Sequence, residues 1–300
     1  VPLPELRFEG YAITLDGKVY YLGGITGAGG VPTSATPSKR VDVFDPVTGT
    51  WAAGPPLPAS APAHHLAVAA VGARIYVLGG FTGIIGTNAP GQGFVPVATS
   101  YAFDGSTWTA LADQPIARGA ATAQAIGGVI YVAGGGSDDT QTRTDLYAYD
   151  PASNSWRQRA PMPTSREHLA SCAVNDKMIV AGGWSGSAKT TTPITEMYDP
   201  STDRWTRLPD MPTSRGGLGG IALDGVCHFV GGERWDIPSP GTFAKNEGFD
   251  PAAGAWSVYT PMPTARHGIG VALVGNGIGV FGGGPDQGNS YTNVVEIFVP

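Results

Sequence analysis

Short apolar runs recur along this chain, each closed by a pair of glycines. They are Val19-Tyr20-Tyr21-Leu22, Ile75-Tyr76-Val77-Leu78, Ile130-Tyr131-Val132-Ala133, Met178-Ile179-Val180-Ala181, Cys227-His228-Phe229-Val230 and Ile278-Gly279-Val280-Phe281. Runs this short, bounded by turn residues, predict buried strands. Upstream of each lies a second apolar stretch, such as Ala120 to Ile126, joined by a turn dipeptide such as Gly127-Gly128 or Asp224-Gly225. These dipeptides signal two-residue hairpins. After a loop of variable length, a third strand ends in Phe44-Asp45-Pro46, Phe103-Asp104-Gly105, Tyr149-Asp150-Pro151, Tyr198-Asp199-Pro200 or Phe249-Asp250-Pro251. Trp51, Trp108, Trp156, Trp205 and Trp256 then open a fourth strand, so each period predicts four antiparallel strands, a to d.

The first glycines of the six pairs (Gly23, Gly79, Gly134, Gly182, Gly231 and Gly282) are 56, 55, 48, 49 and 51 residues apart. A unit of this length cannot bury its own apolar face and must stack on copies of itself. The tryptophans are expected to fill the gaps between neighbouring units, with their indole N–H groups reaching backbone acceptors. Apolar strand, Gly-Gly, aromatic-Asp-Pro, Trp and then Met-Pro-Thr-Ser-Arg together resemble the kelch repeat over essentially the whole chain. The resemblance implies an all-β, six-bladed kelch-type β-propeller of four-stranded antiparallel blades, one domain over residues 1–300.

The sixth repeat departs from the pattern. It stops at Phe298-Val299-Pro300 with no tryptophan strand after it. In four repeats the tryptophan stands ten residues before an arginine, and the same spacing from Arg7 falls upstream of Val1. The sixth blade is therefore expected to be incomplete or closed by the N-terminus. A chain trimmed from a longer one is the preferred reading, because an open strand edge is a liability.

Composition narrows the function classes. A formal charge of -6 and a pI near 5.3 argue against a nucleic-acid partner, which requires surplus Lys and Arg. No apolar run is long enough for membrane insertion, and the first residues lack a signal-peptide pattern. Cys172 and Cys227 lie in apolar runs and are expected to be two buried free thiols. Only 5 of the 18 basic residues are lysine, and the loops are rich in Thr, Ser, Pro and Gly, a weak lean toward an extracytoplasmic or secreted setting.

Candidate chemistry comes from counting. Sixteen residues before the first glycine of each pair stand Arg7, Ala63, Arg118, Arg166, Arg215 and Arg266. The next two positions hold four of the five histidines, as His64-His65, Glu167-His168 and His267-Gly268. Because the strands alternate in direction, the d-to-a and b-to-c connections emerge on one face, which also carries the longest loops. Phe81, Trp184 and Trp235 fall just after glycine pairs on that face, and the second long loop adds Ile84, Ile85, Phe94 and Val95. The expected ligand-binding set is Arg118, Arg166, Arg215, Arg266, His65, His168, His267, Phe81, Trp184 and Trp235. Arginine at this register is also common in kelch repeats, where it can simply brace neighbouring strands.

These residues favour a non-catalytic binding module that takes a protein, an acidic peptide or a carboxylate-bearing ligand at an arginine- and aromatic-lined mouth. Guanidinium forks suit carboxylates, and aromatics suit interfaces. The kelch resemblance also implies an alternative, an enzyme acting on a small carbohydrate in the manner of a sialic-acid mutarotase, with Glu167, His168 or His267 as acid and base. A copper oxidase of the same architecture needs a tyrosine-cysteine pair that strand-borne Cys172 and Cys227 do not suggest. The third alternative is an extracytoplasmic adhesion or sensor domain. No cofactor is expected, and His65, His168 and His267 show no metal-ligand spacing.

Overall fold

The computed structural model describes residues 1–27, 35–83, 93–137, 141–186 and 190–300. Five blades are four-stranded and antiparallel, with strands a, b, c and d in chain order. Blade 1 comprises Tyr11–Leu15, Lys18–Leu22, Val41–Asp45 and Thr50–Ala53, and blade 2 Val68–Val71, Arg74–Thr82, Val95–Phe103 and Trp108–Ala110. Blade 3 comprises Thr122–Ile126, Val129–Ala133, Leu146–Asp150 and Ser155–Arg159, and blade 4 Ala170–Val174, Lys177–Ala181, Thr195–Asp199 and Arg204–Leu208. Blade 5 comprises Gly219–Leu223, Val226–Val230, Asn246–Asp250 and Ala255–Val258. Blade 6 has three strands, Gly270–Val274, Gly277–Phe281 and Val295–Phe298.

The repeat motifs each have a mechanical reason. In the a–b hairpins Asp16-Gly17, Gly127-Gly128, Asn175-Asp176 and Asp224-Gly225 all have positive φ at both positions, which two-residue turns of matching twist demand. The aspartate that ends each complete strand c accepts a backbone N–H two residues on. Asp45 takes Val47, Asp150 takes Ala152 and Asp199 takes Ser201, each at 2.9 Å. This Asx turn sends the chain into strand d. There the tryptophan indoles donate to carbonyls of the preceding blade: Trp108 to Pro55 at 3.1 Å, Trp156 to Ala112 at 2.9 Å, Trp205 to Ala160 and Trp256 to Pro209, both at 2.8 Å. Apolar clusters fill each seam, as where Met162 and Leu169 pack with Tyr131, Ala133, Met178 and Val180.

Among the described residues blade 6 has three strands, and the N-terminal segment packs beside them. Residues 1–6 occupy the place that the segment after strand d holds elsewhere. Leu3 N–H donates to Asn293 as Met162 N–H does to Thr144, and the Trp51 indole reaches Val1 O at 3.4 Å. Cys172, in strand a of blade 4, and Cys227, in strand b of blade 5, are joined in a disulfide with Cα atoms 5.8 Å apart. The expectation of two free thiols is thereby corrected. Each cysteine is buried as its apolar run requires, but the ring sets neighbouring blades face to face and brings the two sulfurs together.

Candidate functional site at the propeller axis

The register of sixteen residues is a clamp. Each guanidinium turns into its own blade and donates to the first glycine's carbonyl: Arg118 to Gly134 and Arg166 to Gly182, both at 3.0 Å, Arg215 to Gly231 at 2.7 Å, and Arg266 to Gly282. The arginine's carbonyl accepts the N–H of the previous blade's second glycine, as Arg166 does from Gly135 at 2.8 Å and Arg7 from Gly283 at 2.8 Å. A Cβ at Gly134 or Gly182 would lie 2.7 Å from the facing arginine carbonyl, so this approach needs glycine. Carboxylates neutralise four of the five arginines: buried Asp42 for Arg7, Glu196 for Arg166 and Glu247 for Arg215, and partly buried Glu296 for Arg266. Arg118 instead uses Gln114 and the carbonyls of Val132, Gly134 and Asp145.

All five arginines are fully buried, so they stand behind the mouth and do not line it. Burial pushes Arg118 and Arg166 down to about 10 despite these partners. They remain cationic at neutral pH.

What faces the axis comes two positions later. Glu9, His65, Ala120, His168, Gly217 and Gly268 occupy the same place in the six repeats, and all have φ between 49° and 62°. Their amides form a closed circle. Glu9 donates to Gly268, His65 to Glu9, Ala120 to His65, His168 to Ala120, Gly217 to His168 and Gly268 to Gly217, at 2.8–3.2 Å. Four of these six residues are not glycine, and left-handed backbone is costly for them. The inter-blade hydrogen bonds hold it in place. Along the axis runs a cavity of about 380 Å³ lined by strand a of all six blades, with Glu9 and His168 among its lining residues.

Three carboxylate–imidazole pairs gather at this neck. His65 Nε2 lies 3.5 Å from Glu9 Oε2, His168 Nδ1 3.7 Å from Glu167 Oε1, and His267 Nε2 3.7 Å from Glu233 Oε1. The rings of His65 and His168 meet edge to face at 4.7 Å, and His64 Nδ1 sits 2.6 Å from His65 Nδ1. Burial, reinforced by the charges of Glu233 and Glu167, raises the Glu9 carboxyl to about 8. Burial drives His64 the other way, to about 3, so it is neutral at physiological pH.

The aromatic expectations divide. Phe81 and Trp184 are buried beside the axial histidines: Phe81 packs with His64, His65 and Phe94, and Trp184 lies 4.3 Å from His168. Trp235 is 55% exposed on the same face. It stands over Gly288, while the Gln287 amide donates to the carbonyls of Arg234 and Ile237 and holds the two loops together. Ile84 and Ile85 lie outside the described residues. Glu9 and Glu233 were not among the expected site residues. The signal for Glu9 was its position two residues after Arg7.

The repeat clamps, the blade order and the sequence agree on the class. The KLHDC2/KLHL20/DRC7 Kelch-repeats domain matches residues 86–283 and the Kelch motif matches residues 12–58, so the chain belongs to the kelch-repeat family of β-propellers. Its relatives include Kelch-like protein terF of Aspergillus terreus, 27% identical over 303 residues, covering 100% of this chain and 54% of that protein. Kelch-like protein 35 of Mus musculus is 28% identical over 156 residues, covering 51% of this chain and 23% of that protein. The chain thus spans about half or less of the curated relatives it matches. The solved structure titled "Structure of YjhT" superposes with a TM-score of 0.78 at 14% identity, covering 100% of this chain and 96% of that one, a likeness of fold.

Proposed function

We propose that this propeller is a binding module that recognises a protein partner on the face carrying the d–a and b–c connections. Trp235 is the observation that carries this reading: a large aromatic, 55% exposed, on a loop braced by Gln287. A rigidly presented tryptophan supplies binding area with little ordering cost, and interface hot spots are rich in it. Half-exposed Val95 adds apolar surface on the same face. The opposite face carries the tight a–b and c–d turns. A specifically acidic ligand loses its support, because the register arginines that would have bound it are engaged inside the blades.

Peptides selected from a random display library on the wild-type protein provide the test. Trp235→Ala should weaken their binding by roughly thirtyfold, the scale of a hot-spot residue. Peptides that bind the variant as tightly as the wild type would refute this use of the loop face.

A second reading, turnover of a small sugar, rests on Glu9, whose carboxyl is raised to about 8 and which faces His65. A group that titrates near neutrality can donate and accept protons. Turnover abolished in Glu9→Gln would support it.

A further inference from the structure

We propose that Glu9, His65 and His168 form a binding site for a divalent transition-metal ion of the Zn²⁺ class at the neck of the propeller. One ligand atom from each residue lies within 4.8 Å of the others. An ion bound at about 2.0–2.2 Å keeps its ligand atoms roughly 3.3 Å apart, and the contact between His65 Nε2 and Glu9 Oε2, at 3.5 Å, is already near that spacing. His168 supplies the third ligand atom of the set.

The three residues come from blades 1, 2 and 4 but share one register, and the circle of inter-blade hydrogen bonds fixes their backbones in place. The site is thus built on the most constrained part of the ring. The remaining positions of that register, Ala120, Gly217 and Gly268, are small. A Cβ at Gly268 would lie 2.6 Å from Glu9 Oε1, so glycine there makes room for the carboxylate.

Residues around the triad can orient it. With His65 Nε2 turned to Glu9, its Nδ1 contacts His64 Nδ1 at 2.6 Å. His168 Nδ1 lies 3.7 Å from Glu167 Oε1. A carboxylate at this distance raises the basicity of the imidazole through its charge, and the His64 contact orients the His65 ring. Glu233 adds negative charge nearby, and no lysine or arginine is paired with Glu9 among the described residues. Two imidazoles and one carboxylate suit Zn²⁺ and its neighbours in the first transition row, whereas Mg²⁺ and Ca²⁺ prefer oxygen alone. Three protein ligands leave a position for water or for a donor from a bound ligand.

The inference requires neither functional reading above, since it is tested with metal alone. The chelator-treated protein is titrated with ZnCl₂ by calorimetry and with CoCl₂ by visible absorption. The expected result is one ion per chain, a Co²⁺ spectrum of low-coordinate, imidazole-ligated type, and affinity at least roughly a hundredfold weaker in His168→Ala and in Glu9→Gln. Glu167→Gln should weaken it by about tenfold, the scale of an outer-shell partner. Absence of a one-to-one site, or equal affinity in wild type and Glu9→Gln, overturns the proposal. Glu9→Gln preserves volume, so it and the cobalt spectrum decide the matter even if His168→Ala fails to fold.

Discussion

The clamp arginines and the axial residues stand two positions apart in five of the six repeats, yet their electrostatic surroundings differ. Arg166, Arg215 and Arg266 each donate to a carboxylate and to backbone carbonyls. At the axis, Glu9, Glu167 and Glu233 each stand 3.5–3.7 Å from an imidazole, and Glu233 also accepts the Gly288 N–H. A cation in direct contact with its carboxylate is framework. Carboxylates that crowd one another, as Glu233 and Glu167 crowd Glu9, mark the layer that points to a site.

Removing one clamp should give the largest effect. Arg215→Met leaves Glu247 buried with Thr213 and Lys245 as its remaining partners, and stranding a buried carboxylate costs about 3–5 kcal/mol. Arg118→Met, where no carboxylate is left behind, should cost about 1–3 kcal/mol, the penalty for unsatisfied carbonyls. Chemical denaturation of both variants measures the difference, and equal losses would show that the carboxylates add nothing to the clamp.

The axial layer should respond to pH in a way the clamps do not. In the folded protein Glu9 holds its proton up to about 8, against 4.5 for its ordinary value. The folded state therefore binds more protons than the unfolded chain between these limits. Glu9 lowers stability progressively as pH rises from about 4.5 to about 8, and the loss is complete above that. Glu9→Gln should remove this slope, becoming more stable than the wild type by a few kcal/mol at pH 8 in chelator, on the order of one per pH unit. Thermal melts across pH 5 to 8 provide the comparison, and parallel curves would mean that the carboxylate is well solvated. His64 has the opposite sense. Its folded value of about 3 lies below its ordinary one, so its stabilising contribution is lost as pH falls below about 6.5.

Much of this architecture is legible in the sequence because each repeat motif does a local job. Gly-Gly marks a backbone approach, aromatic-Asp-Pro an Asx turn, and tryptophan a bond across a seam. Spacing identified Arg166 and His168 as members of one level of the ring. It did not show that the guanidinium turns inward, or that left-handed backbone two residues later carries the histidine to the axis. Glu9 did not stand out, because its neighbours His65 and His168 are distant in sequence. Cys172 and Cys227 were hidden for the same reason. Their pairing depends on the offset between adjacent blades, 55 residues apart in the chain.

The segment that carries Glu9 is also the one that shuts the ring. Leu3 and Arg7 donate to Asn293 and Thr292, Arg7 accepts from Gly283, and Glu9 itself bonds to Gly268, all across the junction between the first and last blades. On the far side a disulfide joins blades 4 and 5. Glu9 thus sits where the first and last blades meet, whereas His65 and His168 stand on blades 2 and 4. A ligand held by all three would tie the closing segment to the body of the ring across the axis.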